Sequence, residues 1–418
     1  MVAKNYGKLL SLLALAFTVV TAGYAADAEH GRHKKSDVGS LQPSEQVART
    51  PSAVFDRSGR LWLAWAYGWH VYVNYSDDFG ATFSVPVVVN NQPENIYSNG
   101  EARPKIAVDG SGRVYVTYTQ KLEKRFTGHI RFSRSLDQGQ NFSAPITVND
   151  NSEIISHRFV SMSLDQDNRI HLLWLDGRDH EAAKRAHQDY LASSLYYSYS
   201  DDHGLNFSKN VKLADHACQC CRIAAAIDAQ QRLVVLWRHV FQEVTAQGAR
   251  MSRDHALLTV AAAGNVSSLQ RISFENWAID TCPHHGPALG IGSGNRYHMS
   301  WFNHQGGQAG LYYAYTDNSG KTMQARINFA SGATQAQHPY VASVGDVVVL
   351  AWKTFDGQRS RVMAIRSADG GKSWGKPREL LDSAAESDHP LLLAYQQKLF
   401  LSWHTQDHGY RLLELPAW

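Results

Sequence analysis

Two short segments hold all four cysteines of this 418-residue chain. One reads Cys218-Gln-Cys220-Cys221-Arg222, the other Asp280-Thr-Cys282-Pro-His284-His285. Three thiols at close spacing, a fourth across a gap and two adjacent imidazoles make a donor set for a soft metal, Cu(I) or Zn(II). The spacing is not that of a zinc finger, so the choice of metal stays open. Two other chemistries use the same residues. A disulfide from Cys218 or Cys221 to Cys282 suits an exported protein and leaves two thiols behind, whereas a bridge within Cys218–Cys220–Cys221 would be strained. The third option is a thiol redox site. Four arginines form a second set of candidates: Arg49, Arg103, Arg158 and Arg222 each open a β-like run. Guanidinium groups grouped this way grip carboxylates or phosphates bidentately. They can equally bond the Asp side chains and backbone of a neighbouring repeat.

What must position these residues is a repeat. Seven β-like runs end in an aromatic, at Trp65, Tyr118, Trp174, Trp237, Trp301, Trp352 and Trp403. Their spacing of about 50 to 64 residues in an all-β pattern predicts one four-stranded blade per repeat, hence a β-propeller. Seven blades are expected, with six as the alternative. The seventh has three recognisable strands, and the segment near residues 37–47 is expected to supply its fourth. Successive strands of a blade alternate in direction. The loops leading into strand one and those following strand two therefore share a face. That face collects the cysteines, the opening arginines and most of the histidines at the mouth of a central channel. A long loop is expected at residues 238–254.

A second recurrence falls between strands three and four. Ser76, Asp78, Gly80, Thr82 and Phe83 return as Ser135/Asp137/Gly139/Phe142, Ser200/Asp202/Gly204/Phe207 and Ser367/Asp369/Gly371/Trp374. A worn copy stands at Thr316/Asn318/Gly320. The expected role is a turn in which Ser and Asp bond local N–H groups, Gly takes a positive φ and the aromatic plugs the blade. These segments resemble the Asp box, or BNR repeat, of the sialidase superfamily, and Arg49-Thr-Pro is similar to that family's Arg-x-Pro start. The resemblance implies a sugar carboxylate held by arginines, with Arg49 as the first and Arg222 or Arg103 as another. It also implies an Asp acid/base and a Tyr–Glu nucleophile pair. Residues 64–76 contain no Asp or Glu where the family places its acid, so a conventional sialidase mechanism lacks its proton donor. Tyr340 and Glu243 are the nearest candidates for the pair. The Cys-x-Cys-Cys and Cys-Pro-x-His-Gly-Pro segments resemble a group of exported sialidase-like proteins.

Bulk properties exclude some partners. A formal charge of +3, from 41 basic and 38 acidic residues, with no basic stripe, gives no case for nucleic acid. Lys4 and Lys8, an apolar run over residues 9–20 and the small residues Gly23 and Ala25 predict a cleaved signal peptide over residues 1–25. A basic lead-in over 26–36 would follow, then a single propeller domain over 37–418. The expected protein is secreted or periplasmic and monomeric, with a small molecule, glycan or metal at the mouth. Three function classes remain: a Cys/His metal or ligand site, a glycoside hydrolase acting on an acidic sugar, and a disulfide-stabilised scaffold.

Overall fold

The computed structural model describes residues 42–245, 248–262, 264–279, 281, 283–305, 308–331 and 334–416. The expected signal peptide and lead-in, and Cys282, lie outside them. Within the described residues the chain is almost entirely antiparallel β-structure in seven consecutive units. Their first strands are Arg49–Phe55, Lys105–Val108, His157–Leu164, Ala224–Ile227, Ala288–Ile291, Gln337–Val344 and Leu391–Tyr395. Six units have four strands and the last has three. The third and fourth units are joined into one eight-stranded sheet through the single pair Ala217↔His239.

All seven repeated aromatics sit on second strands, and all are buried. Each unit presents alternate residues to the unit before and the unit after, so one strand feeds two cores. Trp62, Ala64 and Ala66 pack on Val114, Val116 and Tyr118 of the second unit, while Leu61, Leu63 and Trp65 pack on Tyr410 and Leu412 of the seventh. The same interleaving joins every consecutive pair. Each first strand lies against the next unit's first strand, and the seventh lies against the first.

Two expectations need correction. Residues 42–47 form a turn closed by Val47 N–H donating to Ser44 O (3.2 Å) and add no strand to the seventh unit, while residues 37–41 of that expected segment lie outside the described residues. Pro43 has no N–H to give to a ladder, and Ala48 instead seals the core shared by the first and seventh units. Residues 238–254 are not a loop. Leu233–Thr245 and Gly248–Val260 pair without interruption, so Arg253 and His255 are strand residues. The segment after Asp176 contains a short helix, Arg178–Arg185, with Asp179 and Glu181 in its first turn and Lys184 and Arg185 in its last, as the helix dipole favours.

The Ser-x-Asp-x-Gly segments all form the expected turn. In the third unit Ser200 Oγ donates to Asp202 Oδ1 (2.7 Å) and accepts from Gly204 N–H (2.8 Å). Gly204 has φ of 76°, and a Cβ there would stand 2.3 Å from the Phe132 ring of the preceding unit. Gly204→Ala is therefore expected to cost about 2–4 kcal/mol, combining left-handed strain with overpacking. An unchanged urea midpoint would contradict this.

Candidate functional site

The loops leading into the first strands meet the segments following the second strands. Gly177 N–H donates to Ser156 O, Cys218 N–H to Arg238 O and Asp388 N–H to His404 O. Three first strands begin with a register shift beside a residue of positive φ: Thr50, Phe159 and His338. Such bulges re-aim side chains and gather near functional sites.

The first cluster is Cys218, Cys220 and Cys221. All three are buried, all three are free thiols, and their sulfurs lie within 4.8 Å of one another. Cys218 and Cys220 sulfurs are 3.9 Å apart, and Arg253 Nη1 donates to Cys218 Sγ at 3.2 Å. Hydrogen bonds from Cys220 and Cys221 hold the Cys218 thiol well below its ordinary range; burial opposes this, and Arg253 and Arg238 reinforce it. Burial pushes Cys221 the other way, well up, and the neighbouring Cys218 adds to the shift. Cys218 is thus shifted toward its anion and Cys221 away from it, with Arg253 and Arg238 beside the former. Ala102 and Leu195 pack among its neighbours and keep it dry.

The second cluster centres on Glu101, a residue that sequence inspection passed over. Its Oε2 accepts from the backbone N–H of Arg222 (2.9 Å) and of Gly286 (2.8 Å), and its Oε1 from Arg222 Nη1 (2.5 Å). His338 Nδ1 and His389 Nδ1 stand 3.5 and 3.7 Å from Oε1. The His338 and His389 rings stack at 3.4 Å, and His285 lies 4.7 Å from His338. Burial works to raise the Glu101 carboxyl, but Arg222 and His338 hold it well below the usual carboxylate range. Burial keeps His285, His338 and His389 neutral by lowering their pKa values. The only sequence signal for Glu101 was an acid two residues before Arg103-Pro.

The sequence-derived candidates divide between these clusters. His285 faces Phe302 (4.1 Å) and His338, in the Glu101 cluster and not among the thiols. His284 is half-buried with φ of 52°. Arg222 spends Nε on Pro287 O and Nη2 on Pro339 O besides its bond to Glu101. Arg103 forms a bidentate pair with Asp388 (2.8 and 2.9 Å) and also bonds Pro51 O and Gly100 O. Arg158 bonds Ser156 and Gln219 O, and Arg49 is exposed. Glu243 pairs with Arg271, whereas the Tyr340 ring lies 5.8 Å from the Arg222 guanidinium. The Tyr and Glu are not brought together.

No family model matches the chain, and no curated protein does. Solved structures do resemble it. A PL25 ulvan lyase bound to -[GlcA(1-4)Rha3S]- aligns with a TM-score of 0.57 and 11% identity over 88% of this chain and 93% of its own. The polysaccharide lyase Uly1 aligns with a TM-score of 0.53 and 7% identity over 90% and 92%. A leech intramolecular trans-sialidase reaches 0.48 and 10% identity over 89% and 90%. The likeness is one of fold. This chain is thus a nearly all-β protein with the architecture of glycan-acting lyases. Among the described residues, no helix is long and apolar enough to cross a membrane.

Proposed function

We propose that this protein is an exported, seven-bladed Asp-box propeller that binds a thiophilic metal ion, Cu(I) in preference to Zn(II), at Cys218, Cys220 and Cys221. The observation that carries this reading is the trio of buried sulfurs within 4.8 Å of one another. Sulfurs each about 2.3 Å from one central ion stand about 4 Å apart in a trigonal site, against 3.9 Å between Cys218 and Cys220. Zn(II) takes four donors in structural sites. Three soft sulfur donors suit Cu(I), and Cys282, the remaining cysteine of the chain, lies outside the described residues. Arg253 and Arg238 offset the negative charge that three thiolates around a monovalent ion accumulate. The contact sequence of the first strands supports the seven-bladed ring, and the basic–apolar–small pattern of residues 1–25 supports export.

The test is an anaerobic titration of wild-type protein with Cu(I) against a competing chromogenic chelator, followed by thiol alkylation. One copper per chain with three protected thiols is expected. No retained copper, and thiols equally reactive with and without it, would sink the metal reading and leave a thiol redox role for the cluster. The fold shared with ulvan lyases favours a second reading, an acidic glycan at the exposed Arg49. An acidic-glycoside screen with Arg49→Ala decides it: activity that survives the substitution rejects that role for Arg49.

A further inference from the structure

Inside the circuit of first strands lies a cavity of about 140 Å³. Its polar lining is Ser52, Arg103, Lys105, Arg222, Tyr340 and His389. A space of this size takes a guest of roughly six non-hydrogen atoms, since an engineered cavity of about 150 Å³ admits benzene. Unlike that cavity, this one is charged, and its charges do not balance. Arg103 is matched by Asp388 and Arg222 by Glu101. Lys105 has neither a hydrogen-bond partner nor a carboxylate within ion-pair distance among the described residues. Lys105 is half-buried among protein atoms and lines the cavity. Buried ammonium groups are ordinarily paired, because desolvation of a lone charge is costly.

We propose that this cavity is a binding site for one small monovalent anion, a short carboxylate such as acetate being the type, with the Lys105 ammonium as its counter-ion and Ser52 and Tyr340 as its hydroxyl donors. Of the three lining cations, Arg103 and Arg222 are already matched by Asp388 and Glu101, so one negative charge balances Lys105 and a dianion would be in excess. The site is separate from the thiol cluster, so neither proposal depends on the other. The groups facing Lys105 are Arg103, Arg222, Glu101, Asp388, His389 and Tyr340. Burial, then Arg103 and Arg222, bring the Lys105 amine down to about 7. His389 is neutral throughout this range. Anion affinity should therefore be full below pH 7 and fall as pH rises through it, because the cation that holds the anion is lost.

Equilibrium dialysis of wild-type protein with radiolabelled acetate, at constant ionic strength set by a bulky sulfonate, tests this. Saturable binding of one acetate per chain is expected at pH 6, weakening about tenfold by pH 8 as the amine deprotonates. Sulfate should bind more weakly than acetate. Lys105→Met should abolish binding, and Lys105→Gln provides a second variant if the first does not fold. Absence of saturable binding, equal binding by the variants, tighter sulfate binding or a flat pH profile would each overturn the proposal.

Discussion

Glu101→Ala should destabilise the protein by about 3–5 kcal/mol, the cost of stripping one partner from a buried ion pair. The residue lost is a junction. Glu101 leads into the second unit, Arg222 into the fourth, Gly286 into the fifth and His389 into the seventh, while His338 belongs to the first strand of the sixth. One carboxylate thus bears on five of seven units. Without it, the Arg222 guanidinium keeps its bonds to Pro287 O and Pro339 O but loses the counter-charge of Glu101, and two backbone N–H groups are left buried and unpaired. Glu101→Gln restores an oxygen for those N–H groups but not the charge, so its midpoint should fall between wild type and the alanine variant. Urea unfolding at pH 7 measures all three. A glutamine variant as stable as wild type would mean that the carboxylate's charge contributes nothing.

The pH dependence has a definite sign. The Glu101 pKa is depressed in the folded state, so its contribution is complete above the unfolded value near 4.5 and disappears as pH falls. The difference between wild type and Glu101→Gln should shrink accordingly below about pH 4.5. Acid weakens the fold earlier as well. His285, His338 and His389 have lowered pKa values. Below about pH 6.5 the unfolded chain takes up protons that the folded one refuses, and stability declines.

The architecture was legible because it repeats. A buried aromatic on each second strand and a glycine of positive φ in each Ser-x-Asp-x-Gly turn are local demands, and each recurs in phase. The 238–254 hairpin was missed because its polar residues, Arg250 to Asp254, look like a loop until Arg271 and Asn303 are found bonding Asp254 from other strands. The three cysteines were readable as a group because they are adjacent in sequence. Glu101 was not, because its partners lie 121 and 185 residues away in the chain. The opening arginines stood out by their recurrence at the start of the repeats, but type alone could not say what they grip. In Arg103 and Arg222 the donors are already committed to Asp388, Glu101 and backbone carbonyls. Lys105 carries no pattern at all, and only the cavity makes it conspicuous.

Cys218→Ser should lower Cu(I) affinity by at least about a hundredfold, since even outer groups around a metal are worth 10- to 100-fold. The Cys218 thiol is shifted toward its anion by hydrogen bonds from Cys220 and Cys221 and by Arg253. A serine hydroxyl there stays protonated and is a hard donor, so the site loses both softness and charge. Arg253→Ala leaves every sulfur in place. It should raise the Cys218 pKa and weaken copper binding at pH 6 more than at pH 9, where deprotonation no longer needs the guanidinium. That difference separates a ligand from a group that tunes it. Ultraviolet thiolate absorbance of the metal-free protein gives an independent reading. Wild type should keep its thiolate signal below the pH at which free cysteine loses it, and Cys218→Ser should not. If both proteins titrate alike, Cys218 is not the preformed anion, and the argument for a preorganised copper site loses its electrostatic basis.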